Sequence, residues 1–240
     1  MRVELPALAD PSDAVWPLLF RLAEQEPVGW SIVGAQMVML HASHHGVRRP
    51  LITQDLDIVV DIRTVSPRAI ADRLTNMGFT LAALSTEGTG HRFVRGRASI
   101  DLLSIDHQGS ADLTTVPPAR TIPIAGGRRA IDRSSMIEVV THEGETGTVP
   151  LPDWLGAVLL KSRASLTVPA QRQKHLQDLA LLLGLPTDVV GWAAQLAGRD
   201  RRHLREGGAL ISEATWRAVS SAIDVSTART TLGILTRETG

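Results

Sequence analysis

The residues of this chain that could do chemistry are a few acids and one glycine. In TQDLDIVVD, Asp55 and Asp57 stand two apart at the start of an apolar run, and residues i and i+2 of a strand share one face. Two adjacent carboxylates repel each other unless a cation lies between them. A hard divalent ion such as Mg²⁺ is held by one or two carboxylates together with substrate phosphate oxygens. Upstream, Gly34-Ala35 joins the apolar Ile32-Val33 to a helical run from Gln36 to His45, and that turn would let a phosphate approach the free N–H groups of a helix N-terminus. A third acid, Asp101 in ASIDLLSID, lies in another apolar strand pattern. Asp55, Asp57 and Asp101 together would suffice for two ions beside a phosphate site.

The order strand, Gly turn, helix, Asp-x-Asp on the next strand and a later strand acid resembles the nucleotidyltransferase superfamily. Gly34-Ala35, Asp55-Leu56-Asp57 and Asp101 fall at its matching positions. Two later segments, LLKSRAS with Lys161 and RQKHLQDL with Lys174 and Asp178, make the chain similar to the AbiEii-type nucleotidyltransferase toxins of toxin-antitoxin systems. This likeness runs from about Trp30 to Leu183.

The resemblance implies an α/β protein: a nucleotidyltransferase-fold mixed β-sheet domain over 1–148, followed by a C-terminal helical domain over 149–240. It implies Mg²⁺-dependent transfer of an NMP from an NTP to an acceptor hydroxyl on tRNA or protein, with a cognate antitoxin as partner. Asp55, Asp57 and Asp101 would be the catalytic metal ligands. Gly34, Ala35, Lys161, Lys174 and Asp178 would line the nucleotide, with Lys161 reaching its triphosphate. Ala35 replaces the second Gly or Ser of the pattern and so lacks a hydroxyl for phosphate, and His175 stands where an Asp often follows the Lys. Two rivals are a binding module that keeps the fold without catalysis and an antibiotic-modifying nucleotidyltransferase.

The composition accommodates such a protein and removes several others. With 240 residues, 43% apolar and 21% charged, the chain can bury a sizeable core. Having no cysteine, it can build no disulfide, thiolate metal site or cysteine nucleophile. The start lacks a basic-then-apolar leader and no apolar run matches a bilayer, so a cytoplasmic location is expected. Formal net charge is zero, which argues against indiscriminate nucleic-acid binding. Lys161 and Lys174 are the only lysines among 25 basic residues, and both fall in the two motifs above.

The elements that must position these groups follow from periodicity. Apolar spacing predicts a helix over Asp13 to Glu26, capped by Ser12 or Asp13, and another over Pro67 to Met77, started by Ser66. Strands are expected over Val28 to Val33, Phe79 to Leu84, His91 to Arg95 and Ser99 to Ile105, with His91 and Arg92 at the start of the hairpin partner of the Asp101 strand. Gly46 to Gln54, with Arg48 and Arg49, reads as an exposed connection, and Asp106 to Pro123 as a long loop. Arg128 and Arg129 are expected to open a strand-like region. Asp153 should cap a helix that carries Lys161, and Gln171 to Leu183 should form the next. Lys174 and Asp178, four apart on it, have the plainer reading of a surface ion pair. His41, His44 and His45 have helical spacing but lack the accompanying acid that a zinc site wants. Arg199, Arg201, Arg202 and Arg205 form a basic cluster that could grip RNA phosphate or simply be a solvated helix face.

Overall fold

A computed structural model describes residues 1–6, 15–47, 55–85, 88–106, 112–185 and 188–237. The expected Ser12 or Asp13 cap, and most of the connection carrying Arg48 and Arg49, lie outside these residues. A short strand β1 (Arg2–Glu4) precedes α1 (Trp16–Gln25), β2 (Trp30–Val33), α2 (Gly34–His44) and β3 (Asp55–Val60). Then come α3 (Pro67–Asn76), β4 (Thr80–Leu81), β5 (Arg92–Arg95), β6 (Ala98–Ile105) and β7 (Pro123–Ile124). Ser66 caps α3 as expected, its side chain accepting from the Ala69 N–H.

β3 and β6 are the apolar spine. Leu56, Ile58, Val59, Val60, Ile100 and Leu102 are all buried, as befits strands covered on both faces. They pair in parallel, β2 lies antiparallel on the other edge of β3, and β5 and β4 continue the mixed sheet in the order β2-β3-β6-β5-β4. β7 adds beside the end of β6.

Arg128 and Arg129 depart from expectation. They belong to a helix, α4 (Gly127–Asp132), and the strand starts only at β8 (Ser134–Val140). Gly126, at φ 87°, turns the chain into that helix, and the absence of a side chain at Gly127 lets it pack against Ile105 and Val59. β8 pairs with β1 in parallel and with β9 (Thr146–Pro152) antiparallel, forming a second, three-stranded sheet. Ser31 of β2 donates to the Pro150 carbonyl of β9 at 3.2 Å, tying the two sheets together.

β9 runs through the 148/149 division, and the helical part starts with α5 (Trp154–Thr167). Asp153 caps it, accepting from the Gly156 N–H at 2.7 Å. α5 is buried over most of its circumference, so it acts as the central post of the helices. Around it stand α6 (Arg172–Leu183), α7 (Val189–Ala194), α8 (Gly198–Ala209), α9 (Glu213–Val219) and α10 (Val225–Thr236). The basic cluster of α8 divides. Arg201 is buried and donates to the carbonyls of Leu235 and Arg237 at the end of α10 and of Ala193 in α7, whereas Arg205 is exposed and donates to that of Thr236. Among the described residues no helix is long and apolar enough to cross a membrane.

Candidate active site

Strand register brings the acids together. Asp57 of β3 is the direct partner of Asp101 on β6, and Asp55 is the partner of Ser99, so all four side chains project from one face of the sheet. The Ser99 hydroxyl donates to Asp55 Oδ1 at 2.6 Å. Arg92, opposite Asp101 in the β5–β6 hairpin, joins the group. Its Nε and Nη2 donate to the two oxygens of Asp101, each at 2.8 Å, and its Nη2 lies 3.7 Å from Asp55. Sequence pattern placed Arg92 at the start of the hairpin partner of the Asp101 strand and gave it no partner. The hairpin register that sets it on Asp101 was the missing signal.

Asp57 is placed differently. Val33 is its antiparallel neighbour on β2, so the start of α2 passes directly over it. Gly34 has φ 67°, and a Cβ there would collide with the Asp57 carboxylate. Glycine is thus required twice, for the backbone and for the space that the acid occupies. Burial, and then the charge of Asp101, push Asp57 up from 3.8 to about 6, although Lys161 and Lys174 act in the opposite direction. Ala35, next in the turn, is buried.

The helical-domain residues sort into two groups. Lys161 Nζ donates to Asp178 Oδ2 at 2.8 Å, with both side chains only 3% exposed. This pair bridges α5 and α6. Asp178 therefore meets Lys161 from the neighbouring helix rather than Lys174 one turn away. Lys174 is half-buried, has no carboxylate partner among the described residues, and is near enough to lower the pKa of Asp57. His175 has a buried Nδ1 without a partner, and burial followed by Lys161 pushes it down to about 4, so the ring is neutral at pH 7. His41 is equally remote from metal chemistry. It is buried, bonded through Nε2 to the Pro152 carbonyl, and held at about 4 chiefly by desolvation.

The donor set can be weighed against the Mg²⁺ that the family resemblance implies. The oxygens of Asp57 and its neighbour Asp101 are hard ligands, and the raised pKa of Asp57, caused first by burial and then by the charge of Asp101, marks a buried acid whose ionised form a cation would favour. The chemistry fits. Among the described residues, however, no three His, Asp or Glu groups stand together as a finished cage, and Arg92 occupies both oxygens of Asp101.

Comparison with solved structures found a crystal structure of an antigenic nucleotidyltransferase-like protein from Paracoccidioides brasiliensis, with a TM-score of 0.53 and 11% identity, covering 92% of this chain and 95% of that one. The chain therefore has a nucleotidyltransferase-like α/β fold. A solution structure of the antibiotic-resistance factor ANT(2'')-Ia also matches, with a TM-score of 0.43 and 12% identity, over 88% of this chain and 93% of that one. No protein-family model and no curated protein matches the sequence.

Proposed function

We propose that the protein is a nucleotidyltransferase, which moves an NMP from an NTP to an acceptor hydroxyl, with 1–148 as the catalytic part and 149–240 closing over the nucleotide. The observation that carries this reading is Asp57, lodged against Gly34 and in register with Asp101 on a nucleotidyltransferase-like fold. Asp55, Asp57 and Asp101 would hold Mg²⁺ as one cluster, in which Arg92 orients Asp101. The ion, when bound, neutralises phosphate charge and makes the acceptor hydroxyl more acidic. Lys174 would face the triphosphate beside the Gly34-Ala35 turn, and the Lys161–Asp178 pair would fix α5 against α6 behind it. The further reading, a toxin of a toxin-antitoxin pair with tRNA or protein as acceptor and a cognate antitoxin as partner, is supported by the LLKSRAS and RQKHLQDL motifs, whose Lys161 and Asp178 meet in space.

The test is label transfer. Purified protein with Mg²⁺ is incubated with each α-labelled NTP and with tRNA, cell extract or aminoglycosides in turn, alongside Asp57→Asn. Labelled tRNA or protein that is absent with Asp57→Asn is the expected result. Labelled aminoglycoside would replace the toxin reading with antibiotic modification, and identical backgrounds from both proteins in every mixture would leave a binding module.

A further inference from the structure

A charged concavity lies on the side of α5 away from Lys161. Lys161 and Arg163 are two apart on that helix and so point to opposite sides of it. Lys161 turns to α6, whereas Arg163 lines a cavity of about 1190 Å³ bordered by α4, α5 and α8. Ile62 and Ile105 contribute to its wall, five residues beyond Asp57 and four beyond Asp101. At about 3.3 Å per strand residue, the cavity lies roughly 13–17 Å from the carboxylate cluster, at the opposite end of the sheet.

The charges of this cavity do not balance. Five arginines line it against three aspartates, Asp106, Asp132 and Asp200, and a fourth, Asp61, holds the lining Arg63 from just outside, which leaves one positive charge in excess. Arg129 pairs with Asp200 at 2.7 Å, Arg63 donates through Nε to Asp61 at 2.8 Å and lies 3.6 Å from Asp132, and Arg128 lies 3.8 Å from Asp132. Arg163 and Arg199 have no carboxylate partner among the described residues. Arg163 instead donates through Nη1 to His203 Nδ1 at 3.0 Å, which requires a ring that is neutral at that nitrogen. Burial and the neighbouring Arg163 favour that neutral ring. The N-terminal turn of α8 opens on the same space, with Ala197 offering no side-chain cap to its N–H groups.

We infer that this cavity binds a chain of phosphates, either a free polyphosphate or the sugar-phosphate backbone of a nucleic acid. Arginine forks match phosphate oxygens in pairs. Guanidinium groups supplied by the segment after β3, by α4, by α5 and by α8 suit several linked anions better than one. The volume also exceeds the usual range for small-molecule sites, about 300–1,000 Å³. The inference does not depend on the transferase reading, because none of these residues belongs to the carboxylate cluster.

Inorganic tripolyphosphate and a short single-stranded RNA are titrated in turn into the full chain by calorimetry, with the His203 ring resonances followed by NMR. At least one probe is expected to bind and to shift His203. Arg163→Ala combined with Arg199→Ala should weaken that binding by roughly tenfold or more, as expected for the loss of two charge-assisted contacts, and neither substitution strands an acid. The Lys/Lys counterpart should retain most of it, and Asp57→Asn should leave it unchanged. Binding of both probes indicates a free polyphosphate site, and binding of RNA alone a nucleic-acid site. An unmoved His203 with both probes, or equal affinity in wild type and the Ala/Ala variant, overturns the inference. Loss of binding in the Ala/Ala variant without loss of its thermal transition separates a missing contact from a missing fold.

Discussion

Two ionic clusters meet near the junction of the sheet and the helices, and they handle charge in opposite ways. Lys161 and Asp178 are opposite charges at 2.8 Å, almost fully buried, each the solution to the other's desolvation. Asp57 and Asp101 are like charges on neighbouring strands, and only Asp101 is matched, by Arg92. The first cluster is complete as it stands. The second leaves Asp57 with a pKa pushed to about 6, so it is the one that still has an interaction to gain. Perturbed acids in this state mark functional sites more often than satisfied pairs do.

The comparison can be broken most forcefully at its complete member. Removing one partner of a buried pair strands the other charge, which typically costs about 3–5 kcal/mol. Lys161→Ala should lose about that much in urea unfolding. Lys161→Met combined with Asp178→Leu should recover most of it, since a well-packed apolar replacement of a buried pair is often neutral. A single variant as stable as wild type would show that the pair is not buried as described.

The incomplete member can be sharpened with pH. Asp57 has a folded pKa of about 6 against 3.8 for an ordinary Asp, so the folded state holds a proton over a range where the unfolded state has lost it. Whatever this group contributes to stability is therefore fully present below about pH 4 and is lost as pH rises through 6. Asp57→Asn removes that titration. It should stabilise the chain by on the order of 3 kcal/mol above pH 6, with the advantage over wild type fading towards pH 4. Parallel stability curves for the two proteins between pH 4 and 7 would dismiss the account of Asp57 as a buried, unmatched acid.

Part of the acid cluster was legible because strand chemistry has a period of two. Asp55 and Asp57 share a face on sequence spacing alone, and Gly34 announces a tight turn. What spacing does not carry is register. Nothing local shows that Asp57 pairs with Asp101 or that Arg92 falls opposite Asp101, because both depend on how separate strands align. The same limit hid the Lys161–Asp178 pair, whose partners are 17 residues apart on two helices, while the four-residue spacing of Lys174 and Asp178 offered a more visible match. α4 was misread for a different reason. Its GRRAID is too short to display a helical stripe, and the glycine geometry that starts it becomes apparent only in three dimensions.

That misplaced pairing also decides which lysine should meet phosphate, and the smallest expected effect on stability tests it. Lys161 is almost fully buried against Asp178, and drawing it away towards a ligand would leave a carboxylate buried and unmatched. Lys174 carries no such penalty, since no carboxylate holds it among the described residues and its charge already acts on Asp57. Lys174→Ala should therefore change unfolding free energy by no more than about 0.5 kcal/mol, the range of substitutions that touch no special feature. Its NTP affinity should nonetheless fall by roughly tenfold, the equivalent of one lost charge-assisted contact. Lys161→Ala offers the contrast, since its loss of binding should follow its loss of fold and be restored in the apolar double variant. If nucleotide affinity instead survives Lys174→Ala and stays low in the folded Lys161→Met, Asp178→Leu protein, the phosphate contact belongs to Lys161 and the buried pair must open on binding.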